Sequence, residues 1–459
     1  MKGVHLAISL ALFAFAWFRF RYHGALPLKA VGFRYNYYVI LAYGVCLLFF
    51  LRTYSAYLLG YSRIRSMVFA QFISQLFSAA ILYFAVSLAW NRFDRPLAFL
   101  LVLPAQLLLD MIWSYLANAY YFRLNPQKKT VLIYRAPLDK LRFGSIRGKP
   151  TERLYRITDE IMYNGNFDEI RDRLAGYDAV FVAGVNSACR NGILKYCKEE
   201  NIPGFFLPHI GDTIMQEARH IRSFNSPVLY VERKILNPEY AFVKRAFDIA
   251  ASLLGVILFS PVMLIAAIAI KADDGGPVIY SQMRLTKDSR EFRILKFRTM
   301  RVDAEKDGVA RLSTGEGDDR ITSVGRVLRK CRLDELPQLV NILRGDMSFV
   351  GPRPERPEIA QRYYQTMPDF ALRLQVRAGL TGYAQVYGKY NTDPYEKLAF
   401  DLLYINRMSI LNDIQLLLAT FPVLFSREST EGVAPGTVTA MEHEPDSGDR
   451  SWNKDTDKQ

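Results

Sequence analysis

The sequence predicts a membrane protein that combines α-helical and α/β parts, and three observations lead to this fold class. Residues 1–125 contain four apolar stretches. Short apolar strands then alternate with amphipathic helices, which is typical of a small parallel α/β domain. A further apolar run precedes a polar, basic segment of mixed strands and helices, which predicts a C-terminal mixed domain attached to the membrane.

The composition requires apolar and charged residues to be segregated along the chain. Hydrophobic residues make up 50% of the 459 residues and aromatic residues 13%, yet charged residues account for 23%. The net charge of +14 favours an anionic partner such as lipid headgroups or phosphate groups. No nucleic-acid-binding motif accompanies this charge, so no nucleic-acid partner is expected. The four cysteines have no C-x-x-C spacing, which argues against a zinc site or a disulfide framework.

Residues 1–125 are predicted to form four transmembrane helices. Their apolar stretches cover about Val4–Phe18, Tyr37–Leu51, Met67–Trp90 and Leu97–Tyr121. The first two are short for the roughly 20 residues of a spanning helix, but tilting and flanking aromatic residues would let them span. A buried helical bundle is the alternative interpretation. Lys and Arg occur in every loop, so charge alone does not fix the orientation.

Residues 126–235 are predicted to form a Rossmann-like α/β domain. The segments TVLIY, AVFVAG and GFFLP are interpreted as buried strands separated by helices. A dinucleotide-binding domain would carry G-x-G-x-x-G after its first strand, but the sequence there is YRAPLDKLRFG. The dinucleotide fingerprint is therefore absent, and we expect a regulatory or oligomerising role.

Residues 236–425 begin with an apolar run, residues 246–270, that is long enough to span a bilayer. Ser260 and Pro261 lie in its middle, and a proline there removes a helix hydrogen bond and bends the helix. Basic residues flank the run on both sides. A re-entrant helix that enters, breaks at Ser260 and Pro261 and leaves on the same side accounts for both features, with Ser260 satisfying a freed backbone group. A kinked ordinary span is the alternative.

The rest of this segment is predicted to be mixed in structure. PVIYSQ and FRILKFRTM are interpreted as strands, and RITSVGRVLRKCRL and ELPQLVNILRG as helices. The stretch DPYEKLAFDLLYINRMSILNDIQLLLATFPVLF is first amphipathic and then apolar, which predicts a position on the membrane. Residues 426–459 are rich in Gly, Ser, Thr, Pro and charge, so we expect a disordered tail.

Basic residues gather around the stretch LDELPQLVNILRGDMSFVGPRP, residues 333–354. They are Arg293, Lys296, Arg298, Arg326, Arg329, Lys330, Arg332, Arg344, Arg353 and Arg356. Such a set usually forms a solvated surface, but here it interleaves with Asp334, Glu335 and Asp346. Arginine matches phosphate oxygens bidentately, and Mg²⁺ prefers one or two carboxylates together with phosphate oxygens. The segment therefore indicates binding of a diphosphate through a metal.

Asp334 and Glu335 are adjacent, so on a regular helix their side chains would point about 100° apart. Both reach one point only if the backbone turns there. Pro337 is typical of a first helical turn, which predicts Asp334 as the N-cap of the helix that follows. An aspartate at this position suits covalent phosphoryl transfer. The alternative is a capping acid beside a surface acid.

The stretch of residues 333–354 resembles the signature of bacterial sugar transferases, the polyprenyl-phosphate hexose-1-phosphate transferases. Other segments agree in order: KRAFDI, the apolar helix with its Ser-Pro, GPVIYSQMRLTKDSREFRILKFRTM, VGRVLRKCRLDE and RAGLTGYAQVYGK. The resemblance covers residues 240–425 closely. The N-terminal half resembles the large monotopic phosphoglycosyl transferases in architecture more than in motif. Asn412 departs from the apolar residue expected there, which affects packing rather than the acid pair.

The resemblance implies a reaction and a set of roles. A nucleotide diphosphate sugar, expected to be a UDP-hexose, would give its sugar-1-phosphate to undecaprenyl phosphate and release UMP, which initiates exopolysaccharide, capsule or O-antigen assembly. Asp334 would be the nucleophile that forms a phosphoryl-aspartate, and Glu335 would orient it. Asp334 and Glu335 would both hold Mg²⁺. The basic residues implied to bind phosphate or nucleotide are Lys296, Arg298, Arg329 and Arg353.

The resemblance also implies a place in the cell and a set of partners. The active site would face the cytoplasm from the bacterial inner membrane, with nucleotide sugar, polyprenyl phosphate and the bilayer as partners and a homodimer left open. A membrane-anchored dehydratase or epimerase is a second hypothesis, opposed by the missing dinucleotide fingerprint. A non-catalytic scaffold or regulator of polysaccharide assembly is a third, opposed by the intact Asp334–Glu335 pair beside GPRP.

Overall fold

The computed structural model describes residues 1–23, 34–89, 91, 93, 96–137, 139–140, 150–163, 165–221, 228–302, 320–388 and 393–424, so the predicted disordered tail lies outside the described residues. The chain divides into two compact units, with the second beginning at Pro208. The predicted boundary of the α/β domain at residue 235 lies inside this second unit and stays a prediction. Ile210 packs into one hydrophobic core with Phe370 and Leu398, so the segment after Leu207 belongs with the C-terminal part.

The first unit opens with four long apolar helices: α1 (Lys2–His23), α2 (Arg34–Thr53), α3 (Ile64–Ala89) and α4 (Leu97–Leu124). All four are long and apolar enough to cross a membrane by length and composition. Aromatic residues fill their core, where the rings of Phe13 and Tyr43 stack 3.7 Å apart. A buried hydrogen bond links α1 to α4, because His5 Nε2 lies 2.8 Å from Asp110 Oδ1. Such pairing is what burial of polar groups among apolar helices demands.

A parallel sheet follows in the same unit, as predicted. Its strands are β1 (Lys128–Tyr134), β2 (Tyr155–Met162), β3 (Ala179–Ala183) and β4 (Gly204–Phe206), in the order β2-β1-β3-β4. The accompanying helices are α5 (Asp168–Arg171) and α6 (Ser187–Glu199), with 3₁₀ turns at Pro150–Arg153 and Asp172–Leu174. Strand β3 is buried throughout, which explains why its apolar run was recognisable. Strand β2 is an edge strand with mostly exposed side chains, and its polar sequence gave no strand signal.

The second unit contains two antiparallel hairpins and one parallel pair of strands. Its strands are β5 (Arg219–Ile221), β6 (Val228–Tyr230), β7 (Ile279–Leu285), β8 (Glu291–Phe297), β9 (Met347–Val350) and β10 (Ala378–Thr381), paired β5–β6, β7–β8 and β9–β10. Its helices are α7 (Ile210–Met215), α8 (Pro238–Asp274), α9 (Ser323–Lys330), α10 (Gln338–Arg344), α11 (Pro357–Thr366), α12 (Tyr383–Tyr387), α13 (Pro394–Asn406) and α14 (Ile410–Leu424). Three 3₁₀ segments complete it: Lys287–Ser289, Leu333–Glu335 and Pro368–Gln375.

Helix α8 carries the apolar run and is also long and apolar enough to cross a membrane. It begins where the Asn237 side chain accepts from the Glu239 amide, and it ends at Gly275 in the left-handed conformation. The predicted break at Ser260 and Pro261 is wrong for the helix itself, because α8 continues through both residues. Pro261 leaves the Ile257 carbonyl without its backbone donor, and the Ser260 hydroxyl donates to that carbonyl at 2.7 Å. One side chain thus compensates for the proline without ending the helix.

Candidate active site

The acid pair lies on the 3₁₀ turn Leu333–Glu335, between helices α9 and α10. Arg332 precedes this turn with φ of 53°, in the left-handed region that non-glycine residues rarely adopt. The backbone therefore turns just before the acid pair. Such a turn is what two adjacent carboxylates need if both are to face one point. The predicted N-cap role of Asp334 is wrong, because Pro337 occupies the N-cap position of α10 and no side chain caps the helix.

Glu335 is held by cations from three parts of the second unit. Its Oε1 lies 2.9 Å from Lys296 Nζ on β8 and 3.5 Å from an Arg353 guanidinium nitrogen. Its Oε2 lies 3.9 Å from the Arg332 guanidinium. Burial would raise the pKa of Glu335, but the charges of Lys296, Arg353 and Arg332 lower it to well below its ordinary value. Glu335 is therefore an ionised anchor for the surrounding bases.

Asp334 has a different environment from its neighbour. Within the part of the chain that the structure describes, its carboxylate makes no hydrogen bond and no ion pair. Burial and the charge of Glu335 raise the pKa of Asp334, against the opposing charges of Lys296, Arg329 and Arg332. The pair thus consists of one committed carboxylate and one carboxylate available to another group.

Arg353 stands on a tightly held loop that follows β9. The Pro352 carbonyl accepts from the Gly379 amide at 2.8 Å, and the Arg353 carbonyl accepts from the Arg373 guanidinium at 2.8 Å. Gly351 allows this close approach of two backbones, since a Cβ there would lie 2.4 Å from the Arg377 carbonyl oxygen. The prolines of GPRP therefore act together with backbone hydrogen bonds to fix the loop.

Arg373 supports this loop from inside the protein, and sequence reasoning did not single it out. Its side chain is 3% exposed and pairs with the buried Asp401 at 2.7 Å. The guanidinium also lies 4.8 Å from the centre of the Phe370 ring. Arg373 and Asp401 are 28 residues apart in sequence, so no local pattern links them.

The remaining predicted phosphate ligands divide into two groups. Arg329 donates from Nε to Thr299 Oγ1 at 2.8 Å and acts on Asp334 through its charge, so it belongs to the electrostatic surroundings of the acid pair. Arg298 does not: its side chain is 6% exposed and forms a two-pronged pair with Asp274. It also donates to the Pro277 carbonyl at 2.6 Å. These contacts tie the end of α8 to the β7–β8 hairpin, and none of the described contacts of Arg298 reaches Asp334 or Glu335, so its phosphate-binding role stays a prediction.

The residues present suit a magnesium ion that is completed by a substrate. Among the described residues, no group of three or more His, Cys, Asp and Glu side chains is gathered in one place, so a cage made of protein ligands alone is not found there. Mg²⁺ is usually held by one or two carboxylates together with phosphate oxygens and water. The uncommitted Asp334 carboxylate fits such a ligand. Glu335 has two oxygens, and both already face cations.

Comparison with known proteins identifies the family. The family profile described as bacterial sugar transferase matches residues 239–427. UDP-glucose:undecaprenyl-phosphate glucose-1-phosphate transferase of Caulobacter vibrioides is 42% identical over 191 residues, which cover 40% of this chain and 71% of that protein. The chain belongs to the bacterial sugar transferase family. The matched region of the family profile contains α8, the acid pair and the Arg353 loop.

Two further sugar transferase relatives show how the likeness is distributed. The exopolysaccharide production protein ExoY of Rhizobium meliloti is 37% identical over 223 residues, covering 45% of this chain and 97% of the relative. UDP-N-acetylgalactosamine-undecaprenyl-phosphate N-acetylgalactosaminephosphotransferase of Aeromonas hydrophila is 36% identical over 238 residues, covering 51% of this chain and 55% of the relative. The match thus spans only about half the length of the Aeromonas protein.

Proposed function

We propose that this bacterial membrane protein transfers a sugar-1-phosphate from a nucleoside diphosphate sugar to a polyprenyl phosphate. The observation that carries the proposal is the division of the acid pair, with Glu335 fixed among Lys296, Arg332 and Arg353 while Asp334 stays uncommitted. A fixed set of cations suits phosphate charge, and a free carboxylate suits phosphoryl transfer. The named relatives act on UDP-sugars and undecaprenyl phosphate, which makes these the substrates of choice.

The transfer takes place in two displacement steps. In the first, an Asp334 carboxylate oxygen attacks the phosphorus that carries the sugar, and the bond from this phosphorus to the bridging oxygen of the diphosphate breaks. A nucleoside monophosphate leaves, which is UMP for a UDP-sugar, and the sugar phosphate remains on Asp334 as an acyl phosphate. In the second step, an oxygen of polyprenyl phosphate attacks the same phosphorus. The bond to Asp334 breaks, and the carboxylate is regenerated.

The bases around the acid pair are proposed to bind the phosphate charge of the substrate. Lys296 and Arg353 both contact Oε1 of Glu335, so they are placed beside the acid pair to balance charge on the diphosphate as it enters. Arg353 is 47% exposed, which leaves its guanidinium accessible to a substrate. When bound, Mg²⁺ would neutralise phosphate charge, with the Asp334 carboxylate as its protein ligand, while both oxygens of Glu335 stay engaged with cations.

The apolar helix α8 is proposed to enter and leave the bilayer on one face. At its start, the Arg245 guanidinium donates to the Ile342 carbonyl at 2.7 Å. At its end, Asp274 pairs with Arg298. Both flanks of the apolar run therefore contact the same polar unit, and Pro261 lies between them as the position where a helix is able to bend.

This arrangement supports a complete topology. With α1 to α4 as four spans, the chain emerges on the side where it began, and a re-entrant α8 keeps the acid pair on that side too. Nucleotide sugars are made in the cytoplasm, so that side is proposed to be the cytoplasmic face of the inner membrane. The acid pair would then lie near the headgroups, where the phosphate of a polyprenyl lipid is found.

The proposal is tested by incubating the purified protein in lipid nanodiscs with undecaprenyl phosphate, Mg²⁺ and a panel of UDP-sugars. Release of UMP that requires both the lipid phosphate and one of the sugars is the expected result. Stopped reactions without acceptor should contain protein whose mass is raised by one sugar phosphate, located at Asp334 by peptide mapping. Absence of UMP with every sugar, from protein that is folded and embedded in lipid, would overturn the proposed function.

A further inference from the structure

We propose that Arg245 and Asp248, one turn apart on α8, are positioning residues that set the distance between the acid pair and Arg353. Arg245 holds α10, which follows the acid pair, and Asp248 holds β9, which leads into the Arg353 loop. This inference rests on the proposed function, because it assigns to the membrane helix the geometry of that same site. Neither residue contacts Asp334 or Glu335 among the described contacts, so both act through other elements.

Arg245 closes the C-terminal end of α10. One guanidinium nitrogen donates to the Ile342 carbonyl and the other to the Leu343 carbonyl, each at 2.7 Å. Carbonyls in the last turn of a helix lack the regular intrahelical donors. The forked guanidinium supplies a donor to Leu343 and a second donor to Ile342, which also accepts from the Gly345 amide at 3.0 Å. Gly345 ends the helix with φ of 91°, and a Cβ at this glycine would lie 3.3 Å from an Arg245 nitrogen. The site thus fits an arginine closely.

Asp248 binds strand β9, which leads into the loop that carries Arg353. Its Oδ1 accepts from the Ser348 hydroxyl and from the Phe349 amide, both at 3.1 Å. The carboxylate is buried, with the whole residue 1% exposed. A buried carboxylate is costly unless it is paired and hydrogen-bonded, so its presence in an apolar helix calls for a specific role. Here that role is to fix β9, which ends at Val350, three residues before Arg353.

The same face of α8 continues as a close packing surface. Residues three apart on a helix lie on one face, which places Arg245 and Asp248 together. Further along this face are the fully buried Ser252 and then Gly255, where an added Cβ would lie 3.1 Å from Leu339 of α10. Helix α8 therefore approaches α10 closely, and its two polar side chains fix α10 and β9 relative to a single rigid element.

The consequence concerns the contact between Glu335 and Arg353. Their 3.5 Å separation depends on the positions of α10, which follows Glu335, and of β9, which precedes Arg353. Both elements are hydrogen-bonded to the same turn of α8. A displacement of about 1 Å at a catalytic site is able to cost about 100-fold in rate. Weakening either hold should therefore reduce kcat while the substrate-binding groups themselves remain present.

The test separates positioning from a general role of basic flanks in membrane insertion. Arg245→Gln and Asp248→Ala are compared with Lys271→Gln, which removes a basic residue from the other flank, where the Lys271 side chain donates to the Gly275 carbonyl. We expect a fall in kcat of about 10- to 100-fold for the first two, a much smaller change in KM, and near wild-type kinetics for the control. Asp248→Asn keeps the acceptor oxygen and should restore most of the rate.

Hydrogen exchange supplies a readout that does not depend on activity. Amides of residues 342–353 should exchange faster in Arg245→Gln and Asp248→Ala than in wild type or Lys271→Gln, while the amides of α13 stay unchanged. Ser348→Ala, which removes one of the two bonds to Asp248 without altering α8, should show an intermediate effect and guards against unfolding of the stronger variants. Unchanged exchange in residues 342–353 would overturn the inference, as would faster exchange with wild-type kcat. If the wild-type protein released no UMP, the proposed function would fail, and exchange would still decide whether α8 holds these segments.

Discussion

Lys296 Nζ lies 2.9 Å from Glu335 Oε1, and this contact joins strand β8 to the turn that carries the acid pair. Lys296 is held in its strand by the β7–β8 ladder, in which it pairs with Tyr280. A lysine fixed in this way keeps Glu335 ionised and occupied. Its neighbour Asp334 makes no such contact among the described residues, so the two acids are unequal despite their adjacency.

Replacing Asp334 by Asn should abolish transfer and leave the protein folded. The amide is similar in size but is a poor phosphoryl acceptor, so we expect UMP release to fall by at least about 1,000-fold. Asp346→Asn is the matched control, because Asp346 belongs to the same stretch but pairs with Arg290 at 3.1 Å, away from the acid pair. UMP release close to wild type in Asp334→Asn would refute its assignment as nucleophile.

Arg353 and Arg298 should behave in opposite ways when each is replaced by Gln. Arg353 is 47% exposed beside the acid pair, so Arg353→Gln should lower transfer by about 100-fold or more with little change in melting temperature. Arg298 is 6% exposed and paired with Asp274, so Arg298→Gln leaves a carboxylate without its partner and should lower the melting temperature. The two are compared by thermal unfolding and by UMP release per folded molecule. Equal losses of activity at equal stability would contradict the separation drawn between them.

These two arginines also show what the sequence was able to reveal about the site. Both are basic residues near the acid pair in sequence, and the family resemblance implied the same role for both. Their difference arises from Asp274, which lies 24 residues before Arg298 at the end of α8 and becomes its partner only in the folded chain. The pair Arg373–Asp401 was not recognisable from the sequence, because these two residues also meet only in the folded chain. Motifs identified the acid pair, whereas the assignment of each base required tertiary contacts.

The fold was predictable where local periodicity is strong. The apolar helices and the fully buried strand β3 followed from uninterrupted runs of hydrophobic residues. The exposed edge strand β2 carries Asp159 and Glu160 and lacked such a run. The unit boundary at Pro208 was not recognisable from the sequence, because Ile210 lies in a short six-residue helix and joins the second unit only through its core contacts. Elements defined by distant partners were therefore the ones that sequence patterns did not resolve.

Acid should weaken the second unit through Glu355. Burial would raise the pKa of Glu355, but the charges of Lys397, Arg373, Arg284 and Arg353 lower it below its ordinary value. A carboxyl group with a lowered pKa in the folded state stabilises above its unfolded pKa of about 4.3, and that contribution is lost as the pH falls through its folded pKa. We expect the melting temperature of wild type to drop below about pH 4.3 more steeply than that of Glu355→Gln.

The ionisation of Asp401 changes the stability of the fold in the opposite direction with pH. Burial raises the pKa of Asp401 to about 6, although Arg373 opposes the shift. A carboxyl group with a raised pKa stabilises most at low pH, and its contribution declines as the pH rises towards 6. Asp401 is present in both proteins. The difference in melting temperature between wild type and Glu355→Gln below pH 4.3 therefore reports on Glu355. Parallel melting curves for the two proteins across pH 3 to 5 would show that Glu355 does not contribute.

Ser260 and Pro261 allow a test of the hydrogen bond that stabilises the middle of α8. In wild type the Ser260 hydroxyl replaces the backbone donor that Pro261 lacks. Ser260→Ala leaves the Ile257 carbonyl without a donor and should cost about 1 kcal/mol in an apolar environment. Pro261→Ala supplies an amide for the same carbonyl, so the double variant Ser260→Ala with Pro261→Ala should recover the melting temperature that Ser260→Ala alone loses. A double variant no more stable than Ser260→Ala would mean that the Ile257 carbonyl is satisfied by other means.

Membrane placement is then read from single cysteines at the exposed positions Glu239 and Ala272, in a background without the native cysteines. If α8 is re-entrant, a membrane-impermeant reagent should label neither position in intact spheroplasts and both after lysis, because the two flanks share the cytoplasmic side. Pro261→Ala removes the steric cause of a bend, and the straightened helix of 37 residues is long enough to cross the hydrocarbon core. We therefore expect this variant to lose activity or to expose one flank in a fraction of the molecules. Labelling of one flank but not the other in the wild-type background would exclude the re-entrant arrangement, since it would place the two ends of α8 on opposite faces of the membrane.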